Sequence, residues 1–192
     1  MMRNLRIHLL ALLMLGLLGG GAQADFEAGF AAYEKNDYAT ALKEWLPTAQ
    51  EGDPHAQHML GFLYAQGRGV TIDPAQTVIW WGKAARQGFP PAQYTLGQLY
   101  RRGLGVKRDL EKARDWISRA ADAGYPDAQR AFGIMHVTGE GVKSDLSAAF
   151  MWLDLAADTR GLPSGTFWPD IDKYLTPTQR LEADQLKKNW NN

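Results

Sequence analysis

The 192-residue sequence contains no cysteine. No disulfide can staple the fold, no thiolate can serve as nucleophile or soft metal ligand, and no lipid can be attached to a cysteine near the N-terminus. The fold must therefore stand on packing alone. Charge of one sign is also missing, since 21 Lys and Arg residues balance 21 Asp and Glu residues. Such a mixed surface argues against nucleic acid as the partner and offers no electrostatic hold on an anionic membrane face. Beyond residue 18 no hydrophobic run is long enough to span a bilayer, so no integral membrane segment is expected after that point.

The one long apolar run stands at the N-terminus. Arg3 and Arg6 precede Ile7 to Leu18, and Gly19, Gly20, Gly21 and Ala22-Gln23-Ala24 follow. This is the charged, apolar and small-residue order of a secretory signal, and the run falls short of the ~20 residues of a spanning helix. Cleavage is expected after Ala24, which places the mature chain in the periplasm or outside the cell. Without Arg3 and Arg6, 19 basic residues face 21 acidic ones, a net charge of about −2.

Three segments then align without a gap at a period of 36. Each opens with Ala-Gln, at Ala56-Gln57, Ala92-Gln93 and Ala128-Gln129. Leu60-Gly61, Leu96-Gly97 and Phe132-Gly133 follow, then Tyr64, Tyr100 and His136. The loops Gly67-Arg68-Gly69-Val70, Gly103-Leu104-Gly105-Val106 and Gly139-Glu140-Gly141-Val142 come next. Asp73, Asp109 and Asp145, then Trp80, Trp116 and Trp152, then Ala84-Ala85, Ala120-Ala121 and Ala156-Ala157 complete the lattice.

Elementary physics assigns each position a task. Ala56, Leu60, Leu63 and Tyr64 fall on one stripe of a helix, helix A, that must be buried. Gly61, Gly97 and Gly133 sit inside that helix at roughly 1 kcal/mol each, which implies close approach of a neighbouring helix backbone. The glycine loop supplies residues with positive φ and tucks a valine under the turn. No strand precedes it, so a phosphate loop is not expected. Asp73, Asp109 and Asp145 read as N-caps of helix B, with Pro74 at N1 and Gln76 at N3 in the first repeat. The tryptophans are expected to be equivalent core residues packed on the alanines, so that Trp116→Ala costs roughly 3 to 5 kcal/mol.

The expected organisation is a signal peptide over 1–24, a degenerate N-terminal repeat over 25–52, and three repeats over 53–88, 89–124 and 125–161. A loop and capping helix over 162–192 complete the chain. In the degenerate unit, Phe26 to Lys35 pairs with Tyr38 to Gln50 across the turn Asn36-Asp37. At the other end, Arg160 stands where Gly88 and Gly124 stood, and Gly161 comes one residue late. Thr176-Pro177-Thr178-Gln179 starts a closing helix whose apolar contacts are predicted to be Leu181, Leu186 and Trp190. A stack of this kind needs atypical units at both ends to cover its outermost apolar faces.

This pattern resembles the Sel-one-like repeat (SLR) family, a relative of the tetratricopeptide repeats, over Phe26 to Gly161. The resemblance implies an all-α fold, an α/α superhelix or solenoid of helix pairs whose A helices line the concave side. It also implies adaptor or scaffold work in protein assemblies. Cysteine-rich secreted members clamp each repeat with a disulfide, and some bind or slowly hydrolyse β-lactams. This chain has no such clamp, and His136 replaces the repeat tyrosine.

Recognition is expected where helix A varies between repeats and faces outward. The varying outward positions are His58, Phe62, Ala65 and Gln66, then Tyr94, Gln98, Arg101 and Arg102, then Arg130, Ile134, Val137 and Thr138. Of these, His58, Phe62 and Ala65 and their counterparts share one face by i, i+4, i+7 spacing. Aromatic and arginine side chains favour a protein or peptide partner located in the cell envelope, with Phe62 and Ile134 equally open to burial by neighbouring repeats. Binding or weak hydrolysis of cell-wall-like ligands, peptidoglycan fragments or β-lactams, is the alternative. Catalysis has no visible nucleus: the sequence offers no nucleophile elbow, no SxxK and no zinc-protease helix. His55-x-x-His58 could present two imidazoles to a metal but lacks further ligands, so neither metal nor cofactor is expected.

Overall fold

Aspartate and proline open the helices of this protein, and glycine closes most of them. The computed structural model describes residues 26–190, so the leader and its cleavage site lie outside the described residues. Helix α1 spans 26–34. It is followed by α2 (Tyr38–Glu51), α3 (Pro54–Gln66), α4 (Pro74–Arg86), α5 (Pro90–Arg102), α6 (Leu110–Asp122), α7 (Pro126–Thr138), α8 (Leu146–Thr159) and α9 (Pro177–Trp190). A short 3-10 turn over Ile171–Lys173 precedes α9. No strand occurs among the described residues, so the all-α class is correct.

The expected caps are in place. Asp73 Oδ1 accepts from the amides of Ala75 and Gln76 at 2.9 and 3.0 Å. Asp109 and Asp145 accept from Lys112 and Ala148 at 3.0 Å each. These bonds satisfy amide donors that the first helical turn leaves without partners. In the second loop Gly103 and Gly105 both take φ of 71°, which a side chain would resist, and the Gly103 amide closes α5 on the Leu99 carbonyl. Thr176 and Gln179 exchange reciprocal bonds at the start of α9, a complete capping box.

Packing divides the chain into two compact units, one ending at Lys83 and the other starting at Ala84. In the first, α2 packs on α3 around Ala41, Trp45, Ala49, Ala56, Leu60, Leu63 and Trp80. In the second, α5 to α9 pack each on the next, and Ile117, Ala120, Ala121, Ala128, Met135, Met151, Trp152 and Leu155 form the main core.

The helix A glycines do mark close approach, but a side chain comes first. A Cβ at Gly97 would meet Ile117 Cγ1 at 2.6 Å, with the Ala113 carbonyl behind it at 3.2 Å. At Gly133 the same place is taken by Leu153 Cγ at 2.8 Å and the Ala149 carbonyl at 3.1 Å. In the first unit the indole of Trp81 lies on Gly61, and that of Trp45 lies on Gly29. The residue that keys helix B onto helix A is thus the one after the repeated tryptophan, in the series Trp45, Trp81, Ile117 and Leu153, all buried.

This corrects the expected equivalence of the tryptophans. Trp80 and Trp152 are buried, whereas Trp116 is half-buried with the Arg119 guanidinium over its ring. Trp116→Ala should therefore cost less than the 3 to 5 kcal/mol of a fully buried ring. Leu181 is a second correction. It is 71% exposed, and the contact that α9 makes with the core at that level is Ala183, fully buried beside Phe150, Leu153 and Ile171. Leu186 and Trp190 do pack inward, Trp190 edge-on to Trp152 at 6.3 Å.

Candidate functional site

The repeated glutamine fixes where each helix A begins. Gln57 Nε2 donates to the Ala49 carbonyl at 2.9 Å, Gln93 Nε2 to Ala85 at 3.2 Å, and Gln129 Nε2 to Ala121 at 3.4 Å. Each bond is buried and ties helix A to the last turn of the preceding helix B. With helix A so anchored and its inner stripe spent on the glycine contact, the outward residues of the same helix are held in a defined array.

In the first unit the array closes on itself. The His58 and Phe62 rings meet edge-on at 4.8 Å, Phe62 meets Trp81 at 5.3 Å, and Trp81 Nε1 donates to the His58 carbonyl at 3.0 Å. The same arrangement joins Trp45 Nε1 to the Phe26 carbonyl at 3.0 Å. Burial lowers the His58 pKa to about 4, with a smaller push from the neighbouring His55. His55 turns elsewhere, its ring edge-on to Phe26 at 5.8 Å. No group of three or more His, Asp or Glu side chains able to hold a metal ion occurs among the described residues.

The second unit has no indole at the keying position, and there the array opens. Tyr94, Gln98, Arg101 and Arg102 of α5 and Arg130 and Ile134 of α7 line one recess of about 170 Å³, with Ile117 of α6 and Met135 as its floor. Five of the expected site residues, Tyr94, Gln98, Arg101, Arg130 and Ile134, are brought together here. His58 and Phe62 belong to the aromatic cluster of the first unit. Ile117 and Met135 were missed by sequence reasoning. The signal that could have found Ile117 is its place in the series Trp45, Trp81, Ile117, Leu153, where an indole gives way to a smaller side chain.

Charge in the recess is uneven. Arg101 donates to Gln98 Oε1 at 3.0 Å and pairs with Glu140 at 3.1 Å, and Arg108 shares that carboxylate at 3.2 Å. Arg130 lies over the Phe167 ring at 5.9 Å, a ring it shares with Arg160, which in turn pairs with Asp127. Ile134 stays 38% exposed at the rim. Tyr94 leans on Tyr125 at 5.7 Å between ring centres. These groups can seat an apolar side chain and hydrogen-bond or ion-pair around it.

A second, wider depression lies against α9, lined among others by His136, Asp145, Ser147 and Glu182. Ser147 donates to Glu182 at 2.8 Å, which spends its hydroxyl on joining α8 to α9. Burial lowers the His136 pKa, opposed by Asp145 nearby, and its ring packs edge-on to Phe132 at 4.8 Å. Ser118 and Ser144 donate to backbone carbonyls. Each of these serine hydroxyls thus serves the scaffold.

Comparison with known proteins gives the repeat its kin. Residues 54–89, 90–125 and 126–158 each match the Sel1 repeat. Among solved structures, a Sel1 repeat protein from Oxalobacter formigenes is similar at 27% identity with a TM-score of 0.72, over 80% of this chain and 62% of that one. A protective antigen of uropathogenic Escherichia coli strains with an SLR fold is similar at 24% identity and a TM-score of 0.51, over 91% of this chain and 46% of that one. The chain thus spans less than two thirds of the length of either structure. No curated protein matches it. Sel1 repeat proteins generally mediate protein–protein interaction and are typically scaffolds without catalysis. Since the three matched repeats take up more than half of its 192 residues, the chain belongs to the Sel1 repeat family.

Proposed function

We propose that the protein is an exported adaptor or scaffold of the cell envelope that captures a peptide or an extended loop of another protein on the α5–α7 face. The observation that carries this reading is the convergence of Tyr94, Gln98, Arg101, Arg130 and Ile134 around one recess with an apolar floor. Arginine and tyrosine over a desolvated floor are the side chains that supply most of the energy in protein interfaces. Export rests on the leader sequence, and its check is direct: the mature protein recovered from cells should begin at Asp25.

No helix among the described residues is long and apolar enough to cross a membrane, and a partner would meet the recess from solution. The purified mature chain, used as bait in an envelope extract, should retain a defined protein. Tyr94→Ala combined with Arg130→Ala should abolish that retention while the helix content read by circular dichroism is kept and the thermal transition falls only by the loss of the Tyr94–Tyr125 contact. An unchanged catch by the double variant would reject the recess as the binding face.

A further inference from the structure

We propose that the occupant of the α5–α7 recess is an acidic peptide segment that inserts one bulky apolar side chain between Arg102 and Arg130. This rests on the peptide-capture reading above and adds the chemistry of the ligand. Size sets the first part. About 170 Å³ over Ile117 and Met135 is room for one ring or branched aliphatic group, since a dry cavity of about 150 Å³ takes up a benzene.

Charge sets the second part. Arginines are the charged residues lining the recess, and the carboxylate that Arg101 pairs with, Glu140, is already shared with Arg108. Arg102 and Arg130 have no ion-pair partner among the described residues. Arg102 is exposed, and Arg130 lies over the Phe167 ring in a cation–π contact. The last turn of α5 gives Arg101 and Arg102 a local reason to be cationic, because free carbonyls gather there. Arg130 is the fifth residue of α7, away from the last turn where free carbonyls gather, so that helix end gives it no reason to be cationic. Carboxylates flanking an apolar anchor would pair with both guanidiniums, and a basic ligand would meet uncompensated repulsion.

A displayed library of random 12-residue peptides, panned against the full mature chain, tests this. Captured sequences should be enriched in Asp and Glu around one Phe, Leu or Ile, and synthetic copies should bind more weakly as NaCl rises from about 50 to about 300 mM. Arg102→Gln alone, an exposed neutral change whose helix content is checked by circular dichroism, should weaken them severalfold, and Arg130→Gln should do the same. Captured peptides that are neutral or basic would overturn the acidic assignment while leaving peptide capture intact. Acidic peptides indifferent to both variants would overturn the site. A library that yields no binder at all would overturn the peptide-capture reading and this inference with it.

Discussion

At residue 117 the lattice exchanges an indole for a smaller branched side chain, and the second unit gains a recess where the first has a filled cluster. In both units the keying residue lies on a helix A glycine, Trp81 on Gly61 and Ile117 on Gly97. Ile117→Trp should therefore repeat the first unit's solution. It should cost no more than the roughly 1 to 3 kcal/mol of overpacking, read from urea unfolding, while peptide capture is lost because the floor is raised. Retained capture by a folded Ile117→Trp protein would show that the recess is not the seat. His58 gives a second residue-scale expectation. Its folded pKa of about 4 lies below the ordinary histidine value of 6.5, so the folded state disfavours the charged ring. The resulting stability is fully present above pH 6.5 and is lost as pH falls from there to about 4, a change of up to about 3 kcal/mol. Comparing urea midpoints of the native protein and His58→Phe at pH 7 and pH 4.5 should show a steeper acid loss in the native protein. Equal losses would contradict it.

At the scale of the element, the connection between one helix pair and the next is a side-chain bond. Gln93 and Gln129 reach back from α5 and α7 to the ends of α4 and α6, where each adds a second donor to a carbonyl, Ala85 or Ala121, that already accepts from the Gly88 or Gly124 amide. Gln129 also accepts from Thr159 at 3.2 Å and so ties three helices together. Gln129→Leu should destabilise by about 0.5 to 1.5 kcal/mol in urea unfolding, because it removes a buried hydrogen bond while the Gly124 amide still serves the Ala121 carbonyl, and Gln93→Leu should behave alike. A change within a few tenths of a kcal/mol would mean that the repeated glutamine is dispensable. Helix starts and stops were legible in the sequence, since Asp73, Asp109, Asp145, Thr176 and the loop glycines act through local backbone chemistry. The glutamine's target was not legible, because its acceptor lies eight residues back on another helix. Nor was the exposure of Leu181, which depends on α9 turning the small Ala183 inward so that it can approach Phe150 and Ile171 closely.

For the whole molecule, the 36-residue period pointed to a stack of helix pairs, because each repeat buries its apolar face only against a neighbour, and the Ala-Gln, Leu-Gly-x-x-Tyr, Gly-x-Gly-Val, Asp, Trp and Ala-Ala positions carried the family resemblance. The candidate site was half legible. Helical spacing put Tyr94, Gln98, Arg101, Arg130 and Ile134 on one face, yet whether that face is filled or open depends on which side chain helix B presents beneath it. That information lies in position 117, outside the helices that carry the site. The most direct test is NMR shift mapping of the mature chain titrated with a library-selected acidic peptide. The account predicts that the amide and side-chain signals of Tyr94, Gln98, Arg102, Arg130, Ile134 and Met135 shift together and saturate at one peptide per chain. Shifts confined to α6, α8 or α9 surfaces away from those residues would contradict it.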